Sequence, residues 1–268
     1  MNTLYELRLF ARKRRFASDP LRADLVRAFS AIDSHISSGH SPYELLFIAD
    51  AILKLDLAGP IVECGAYKGA SSAKLSLVAK ATGRKLYVCD SFQGLPQGEE
   101  KHQRTDGTTR KFVTGEYASS LDEVRNNIRR WGSLDPCHFV PGYFCDSLPA
   151  LHVEPAAVFM DVDYVRSARE CLKYLWPRLK AGGLFFTHEA AFLSFIQGIT
   201  EGCWWHEHLG CCPPPIFGAG YGVDPLAPYV AYFCKPLDKS RDQPPTGHFE
   251  NRGEATIRRD PVWPAHPA

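Results

Sequence analysis

Residues 61–71 read IVECGAYKGAS, and the prediction of the fold starts from them. It runs from a short apolar strand through two glycines into a helix. Gly65 lets the backbone turn sharply where the strand ends, and Gly69 lets the start of the helix approach a ligand without an intervening Cβ atom. In open α/β sheets, ligands bind at this transition from strand to helix. The stretch therefore predicts a ligand-binding turn at the carboxyl end of a parallel strand.

The spacing of the glycines indicates the kind of ligand. The pattern is E-x-G-x-x-x-G, which lacks the third glycine of the G-x-G-x-x-G loop that cradles a dinucleotide pyrophosphate. A helix amino terminus at this place suits a carboxylate. Asp90 follows Gly65 by 25 residues and ends the next strand, where an acidic side chain accepts hydrogen bonds from ribose hydroxyls. Together these features favour S-adenosylmethionine over NAD as the cofactor.

Apolar strands and helices alternate on both sides of this motif. Strands are predicted at 60–64, 85–89, 137–140, 156–160 and 184–187, and helices at 42–53, 70–82, 120–132 and from Ser167 onwards. Continuous apolar strands separated by helices indicate a parallel sheet that is covered on both faces. The prediction is a doubly wound, Rossmann-like α/β fold with a mostly parallel sheet and an antiparallel edge strand at Tyr229–Cys234.

Composition narrows the class of protein. The 268 residues include 31 Lys plus Arg and 30 Asp plus Glu, and the resulting net charge of +1 argues against a protein that coats nucleic acid. A hydrophobic fraction of 45% is typical of a globular domain. The sequence shows neither an apolar run long enough to predict a membrane span nor a secretory pattern at its start. The nine cysteines are therefore expected to be reduced thiols in the cytoplasm.

The chain divides into three predicted regions. Residues 1–40 form a basic helical leader, residues 41–236 form one catalytic domain, and residues 237–268 form a polar tail that is poorly ordered or lies over the surface. The leader is interpreted as a solvated helix or a dimer-contact extension, so a homodimer is expected. A membrane-surface or nucleic-acid arm is the alternative interpretation.

Several segments resemble one known family. Residues 90–96, DSFQGLP, resemble the D-S-F-x-G-L-P segment of the macrocin-type O-methyltransferases of antibiotic biosynthesis, which are class I methyltransferases. Residues 142–149, GYFCDSLP, resemble their G-x-F-x-D-T-L-P segment, and residues 159–164 and 175–183 resemble their D-x-D-x-Y, L-Y-P-x-L and G-G runs. The resemblance covers residues 41–190 and implies the class I methyltransferase fold.

The resemblance also implies which residues contact the cofactor. Glu63, Gly65, Tyr67 and Gly69 are expected to line its methionine end. Asp90 is expected to hold the ribose, and Asp146 is expected to lie near the adenine. The remaining expected contacts are Ala66, Ser71, Ser91, Phe92 and Asp161.

The catalytic end departs from the family pattern. Family members hold a divalent metal, usually magnesium, between an aspartate after the fourth strand and an Asp-Asp pair after the fifth. Asp161 matches the first aspartate, but His188 and Glu189 stand where the pair is expected. Because imidazole suits transition metals better than magnesium, these three residues are a candidate site for such an ion.

A second interpretation of His188 needs no metal. Methyl transfer is an in-line displacement, so the enzyme orients the acceptor and removes its proton. His188, with Asp161 fixing its tautomer, is a candidate general base for a hydroxyl. The third interpretation is that His188 only caps the end of its strand by hydrogen bonding. Asp163, two residues after Asp161, is interpreted as a cap for the helix that begins near Ser167.

Residues 191–236 are rich in aromatic residues, cysteine, glycine and proline. Trp204, Trp205 and Tyr221 are the predicted flat walls of the acceptor pocket, with core or dimer packing as the alternative. The cysteines and histidines of residues 203–212 lack the spacing of a structural zinc site.

The sequence thus predicts an S-adenosylmethionine-dependent methyltransferase that acts on a hydroxyl of a small secondary metabolite or sugar, without nucleic-acid or membrane partners. An N- or C-methyltransferase would use the same cofactor site. Because the Asp-Asp pair is absent, a protein that binds the cofactor without catalysing a reaction is a further alternative. An NAD(P)-dependent oxidoreductase is disfavoured by the glycine spacing and by the absence of a Tyr-x-x-x-Lys pair.

Overall fold

A computed structural model describes residues 19–237 and builds them around a seven-stranded sheet. Its strands and those of a separate hairpin are β1 (Ile61–Cys64), β2 (Leu86–Asp90), β3 (Glu99–Gln103), β4 (Thr109–Val113), β5 (Cys137–Pro141), β6 (Ala157–Met160), β7 (Leu184–Thr187), β8 (Ile216–Phe217) and β9 (Ala231–Cys234). The helices are α1 (Pro20–His35), α2 (Pro42–Leu53), α3 (Ala70–Ala81), α4 (Leu121–Trp131), α5 (Phe144–Ser147), α6 (Val165–Leu175), α7 (Leu193–Ile199) and α8 (Gly202–Leu209).

The strand order is β5-β2-β1-β6-β7-β9-β8, and the first five strands are parallel. The order reverses on the two sides of β1, which creates the switch point where open α/β sheets bind ligands. The doubly wound, mostly parallel sheet that the sequence predicts is confirmed. The antiparallel strand near Tyr229–Cys234 is also confirmed, but β9 is not the edge, because β8 pairs with its outer side.

Alternation along the strands builds one apolar layer on each face of the sheet. In β1, Ile61 packs into the layer formed with α1 to α4, and Val62 and Cys64 pack into the layer formed with α6 to α8. The short strands are buried along their whole length because helices cover both faces.

Local capping explains where α1, α2 and α4 begin. Ser41 and Glu44 form the predicted capping box at the start of α2, and the Ser120 side chain accepts the backbone N–H of Glu123 at the start of α4. The predicted start of α6 at Ser167 is wrong. This helix begins at Val165, whose N–H donates to the Glu100 carboxylate at 2.7 Å. A cap that comes from a hairpin 65 residues away leaves no local sequence signal.

The hairpin of β3 and β4 is absent from the predicted elements. Its strands alternate between exposed residues and the buried His102 and Phe112, and its turn contains Asp106-Gly107 with Gly107 at φ 84°. An Asp-Gly pair between two alternating stretches is a strong hairpin signal.

Helix α1 occupies part of the predicted leader and packs on the core. Phe29 and Ile32 are buried, and Asp33 forms an ion pair with the fully buried Lys74 of α3. The basic segment 1–18 and the tail from residue 238 onwards lie outside the described residues. Among residues 19–237, no helix combines the length and the hydropathy that crossing a bilayer requires. The described residues include all nine cysteines, and no disulfide joins any two of them.

Candidate functional site

A cleft of about 670 Å³ opens where β1, β2, β6 and β7 end. Each of these strands sends one segment to it, beginning at Gly65, Asp90, Asp161 and His188, respectively. The remaining lining comes from the loop before α2, from the hairpin and the turn after it, from the starts of α5 and α6, and from Phe192 and Tyr229. The size of the cleft is in the range of small-molecule sites.

Residues 65–71, called the glycine loop, form one side of the cleft, and the backbone at Gly65 packs closely against the segment after β6. Gly65 has φ 92°, and a Cβ atom there would collide with the main-chain carbonyl oxygen of Asp161. Gly69 caps α3 with φ 83°, which leaves the first amides of the helix without a side chain in front of them. Tyr67 lies between the two glycines with φ 48°, a conformation that is costly for a bulky side chain. Tyr67, Ala66 and Ser71 all line the cleft.

Asp90 fastens this loop to the end of β2. One carboxylate oxygen accepts the N–H of Ala66 at 2.6 Å, and the other accepts the N–H of Phe92 at 2.7 Å. Burial raises the pKa of Asp90, although these backbone donors oppose the shift. Asp90 and Ser91 line the cleft. Phe92 has φ 55° and instead packs against the core.

Three other residues of the predicted cofactor set do not line the cleft. Glu63 is fully buried beneath the glycine loop, and its carboxyl oxygens have no hydrogen-bond partner among the described residues. Burial raises the pKa of Glu63 to about 8, since the nearby hydroxyls of Ser71 and Ser72 offset this effect only partly. Gly69 lies behind the cleft surface as the helix cap, and Asp146 is exposed on α5 next to the lining residue Cys145.

Asp161 lies between two imidazoles at the floor of the cleft. Its Oδ2 is 2.8 Å from His40 Nε2, and its Oδ1 is 3.7 Å from His188 Nδ1. The two rings meet edge to face with centroids 4.4 Å apart. His188 Nε2 is 3.1 Å from the buried Glu44 carboxylate. Sequence reasoning missed His40, because the loop that carries it is 121 residues from Asp161 in the chain.

Charge in this group is unevenly distributed. Burial disfavours the protonated form of His188, but the charge of Asp161 and the hydrogen bond to Glu44 outweigh it and raise the pKa of His188 to about 9. Burial and the charge of His188 together lower the pKa of His40. Burial also acts against ionised Asp161, but the neighbouring imidazoles hold its pKa below the usual range.

Glu189 does not join this group, contrary to the expected Asp161, His188 and Glu189 set. Its buried carboxylate accepts the N–H groups of Val162 and Asp163 at 2.8 and 3.1 Å, and the hydroxyl of Thr187 donates to it. Burial, reinforced by the charge of Asp161, raises the pKa of Glu189 to about 7. Glu189 thereby braces the loop after β6. Asp163 lines the cleft with φ 60° and does not cap α6.

The predicted aromatic walls of the acceptor pocket lie elsewhere in the molecule. Trp205 is fully buried, packs edge to face on Trp176 at 5.1 Å, and donates its indole N–H to the Ile199 carbonyl at 2.6 Å. Trp204 stacks on His208, and Tyr221 is 73% exposed. None of Trp204, Trp205 and Tyr221 lines the cleft that the described residues form. Core packing, the alternative interpretation, accounts for Trp205.

Replacing Trp205 by alanine is expected to destabilise the protein by about 3–5 kcal/mol, because a large buried ring leaves a cavity. Trp204→Ala, at a partly buried stack, is expected to lower the free energy of unfolding by about 1 kcal/mol. Urea denaturation followed by circular dichroism measures both. Unfolding free energies that fell equally in the two variants would contradict the assignment of Trp205 to the core.

The hairpin and its following turn line the cleft, whereas the sequence predicts that residues 191–236 do so. Arg104, Arg110, Phe112 and Tyr117 line the cleft, and Tyr117 meets Tyr67 edge to face at 5.4 Å. From residues 191–236 only Phe192 and Tyr229 reach the cleft among the described residues. The Asp-Gly turn of the hairpin was the sequence signal that could have located this wall.

Comparisons with known proteins identify the family and the fold of the chain. A family model described as macrocin-O-methyltransferase (TylF) matches residues 44–198. The solved structure of the O-methyltransferase NovP superposes with a TM-score of 0.59 at 21% identity, covering 75% of this chain and 84% of that chain. This likeness confirms the predicted class I methyltransferase fold.

Two curated relatives are similar in sequence. The 8-demethyl-8-(2,3-dimethoxy-alpha-L-rhamnosyl)-tetracenomycin-C 4'-O-methyltransferase of Streptomyces olivaceus is 33% identical over 153 residues, which are 55% of this chain and 59% of that protein. The mycinamicin III 3''-O-methyltransferase of Micromonospora griseorubida is 30% identical over 160 residues, which are 57% of this chain and 63% of that protein. The matched part spans less than two thirds of either relative. Because the family match covers more than half of the chain, this protein belongs to the macrocin O-methyltransferase (TylF) family.

Proposed function

We propose that this protein is an S-adenosylmethionine-dependent O-methyltransferase that methylates a hydroxyl of a small secondary metabolite or of a sugar attached to one. The observation that carries the proposal is that one cleft combines the glycine loop and Asp90 with the His40–Asp161–His188 group. The first part suits a cofactor with an amino-acid arm and a ribose, and the second part suits an acceptor that must lose a proton.

The residues of the cleft fit the cofactor. A side chain at Gly65 would fill the space against Asp161, and the buried Glu63 carboxyl beneath the loop has no hydrogen-bond partner among the described residues. The loop from Gly65 to Ser71 would hold the methionine part at the amino end of α3. Asp90 would hold the ribose, and Tyr143 and Phe144 would offer aromatic faces to the adenine. When bound, S-adenosylmethionine supplies an electrophilic methyl group on a sulfonium.

The protein's own contribution is to position and deprotonate the acceptor. We assign Asp161, His188 and His40 to the acceptor hydroxyl, because they are polar side chains that line the cleft beside the glycine loop. His40, whose pKa is lowered, would take the hydroxyl proton, whereas His188, whose raised pKa leaves it protonated near neutral pH, would hold the oxygen. In-line transfer requires the hydroxyl to be held along one direction, which two or three convergent groups achieve. Tyr67 and Tyr117 meet above the loop, where they would limit access of water.

The acceptor class follows from the relatives and from the cleft walls. The relatives named above methylate hydroxyl oxygens of tetracenomycin and mycinamicin compounds according to their names. In this chain, Phe112 and Phe192 give the cleft flat apolar faces, while Arg104 and Arg110 give it hydrogen-bond donors. This mixture suits a ring-bearing acceptor with several oxygen atoms.

Methyl transfer from radiolabelled S-adenosylmethionine tests the proposal directly. The panel contains mycinamicin III and the demethylated rhamnosyl-tetracenomycin, the acceptors that the names of the two relatives give. Label in at least one acceptor, with one equivalent of S-adenosylhomocysteine formed per methyl group, is expected. Absence of any heat of cofactor binding at millimolar S-adenosylmethionine would contradict the proposal.

A further inference from the structure

Three side chains from distant parts of the chain converge on one point in the cleft. His40 comes from the loop between α1 and α2, Asp161 follows β6, and His188 follows β7. One donor atom from each lies within 4.8 Å of the other two. Among the described residues, this is the group of three or more histidine, cysteine or acidic side chains with such spacing.

The separations of the donor atoms suit a single ion. Two ligands held about 2.1 Å from one metal ion lie roughly 3.0–3.4 Å apart at octahedral to tetrahedral angles. His40 Nε2 is 2.8 Å from Asp161 Oδ2 and His188 Nδ1 is 3.7 Å from Asp161 Oδ1, so the two imidazoles approach different oxygens of the carboxylate. With one ligand atom taken from each residue, the three atoms lie within 4.8 Å of one another, somewhat wider than around a bound ion. An ion could therefore enter with small movements of the side chains.

In each imidazole, the nitrogen that points away from Asp161 already has a hydrogen-bonding partner. His40 Nδ1 is 2.9 Å from the Ser38 hydroxyl, and His188 Nε2 is 3.1 Å from Glu44 Oε2. Glu44 is held in turn by the backbone N–H groups of Ser41 and Tyr229. Metal-binding histidines characteristically present one nitrogen to the ion and use the other to bond a carboxylate or another polar group. Both rings follow this pattern, with their inner nitrogens facing Asp161.

The donor set does not fit magnesium, the ion usual in the family. Magnesium prefers an octahedron of hard oxygen ligands, whereas this group offers two imidazole nitrogens and one carboxylate. Two histidines and one carboxylate are a common ligand set for transition metals, which retain open positions for other ligands. Glu189, which would add an oxygen, is occupied by the backbone of the loop after β6.

We propose that His40, Asp161 and His188 bind one transition-metal ion of the zinc, manganese, iron or cobalt class in preference to magnesium. The open positions of the ion face the cleft, because all three ligands line it. Under the proposed function, these positions receive the acceptor hydroxyl. The binding of the metal itself requires neither the cofactor nor an acceptor.

Metal titration of the full-length chain tests the proposal after treatment with a chelator. Calorimetry is expected to give one equivalent of Co²⁺ or Zn²⁺ and a dissociation constant at least about 100-fold lower than that for Mg²⁺. Bound Co²⁺ is expected to show visible absorption bands of nitrogen and oxygen ligation. Equal or tighter binding of Mg²⁺, or the absence of stoichiometric Co²⁺ and Zn²⁺ binding, would overturn the proposal.

Variants then locate the site. His40→Ala and His188→Ala are each expected to weaken Co²⁺ binding at least about 100-fold, and Glu44→Gln about 10- to 100-fold, because Glu44 orients the His188 ring. His188→Asp is expected to shift the preference towards Mg²⁺. His138→Ala, at an exposed histidine outside the cleft, is the matched control and is expected to bind Co²⁺ unchanged. Unaltered Co²⁺ binding in His40→Ala or His188→Ala would place the metal elsewhere and overturn the assignment.

Two further measurements separate the metal site from the methyltransferase function. The binding of S-adenosylhomocysteine to the metal-free protein reports on the cofactor site alone, and thermal melts of each variant report on folding. If a histidine-to-alanine variant fails to fold, the preference of the unmodified protein for Co²⁺ over Mg²⁺ still decides the outcome. Failure to bind the cofactor together with normal Co²⁺ binding would contradict the proposed function and leave the metal site standing.

Discussion

Asp161→Asn is expected to lower the turnover number for methyl transfer at least about 1000-fold while leaving the dissociation constant for S-adenosylhomocysteine within about threefold. Asparagine keeps the shape of the side chain but removes the negative charge that lies between His40 and His188. Under the proposed function, the acceptor hydroxyl then loses the charged group that orients it. The cofactor loop is affected little, because its contact with residue 161 is to the backbone.

Asp163→Asn is the matched control for this prediction. Asp163 lines the same cleft two residues away, but its carboxyl makes no hydrogen bond with either imidazole among the described contacts. Asparagine also tolerates the positive φ of this position. A loss of at most about tenfold is expected. Steady-state kinetics and calorimetry with S-adenosylhomocysteine measure both variants, and a turnover number that stayed near normal in Asp161→Asn would remove Asp161 from the mechanism.

The sequence was sufficient to predict the sheet and the cofactor loop because both depend on local patterns. Apolar runs such as Leu184–Thr187 are buried on both faces, so their composition alone marks them as strands of a parallel sheet. Gly65 and Gly69 occupy backbone conformations that favour glycine. Because the turn requires glycine at these two positions, their spacing in the sequence indicates the turn. These elements could be predicted to within one or two residues.

The chemistry at the cleft floor could not be predicted in the same way. His40 becomes part of the site only because α1 and α2 fold against the sheet, and no neighbour in sequence marks it. The resemblance to the family places Glu189 at the metal, and the aromatic side chain of Trp205 favours a place in the acceptor pocket. In the structure, the Glu189 carboxylate accepts hydrogen bonds from backbone amides. Trp205 lies in the core, where its indole N–H also has a hydrogen-bond partner. Residue type suggests what a side chain is able to do, whereas its contacts decide what it does.

The contact between Gly65 and Asp161 joins the two halves of the site. Gly65 begins the cofactor loop, and the carbonyl oxygen of Asp161 occupies the space where its side chain would be. The N–H of Asp161 donates to the main-chain carbonyl oxygen of Cys64 at 2.9 Å, and this hydrogen bond joins the same two segments. The loop that we assign to the cofactor and the carboxylate that we assign to the acceptor are therefore held at a fixed separation.

Gly65→Ala is expected to lower the free energy of unfolding by at least about 3 kcal/mol, because a backbone oxygen must move and alanine is strained at φ 92°. It is also expected to weaken S-adenosylhomocysteine binding at least about 100-fold, since the loop moves away from Asp161. Gly83→Ala is the matched control, because Gly83 also has a positive φ, of 65°, but a Cβ atom there meets nothing within 4 Å. The control is expected to lose about 1–2 kcal/mol from backbone strain and to bind normally. Urea denaturation and calorimetry distinguish the two variants. Equal losses of stability would show that strain alone acts at residue 65, and normal binding by Gly65→Ala would refute the close contact as the element that sets the geometry of the cleft.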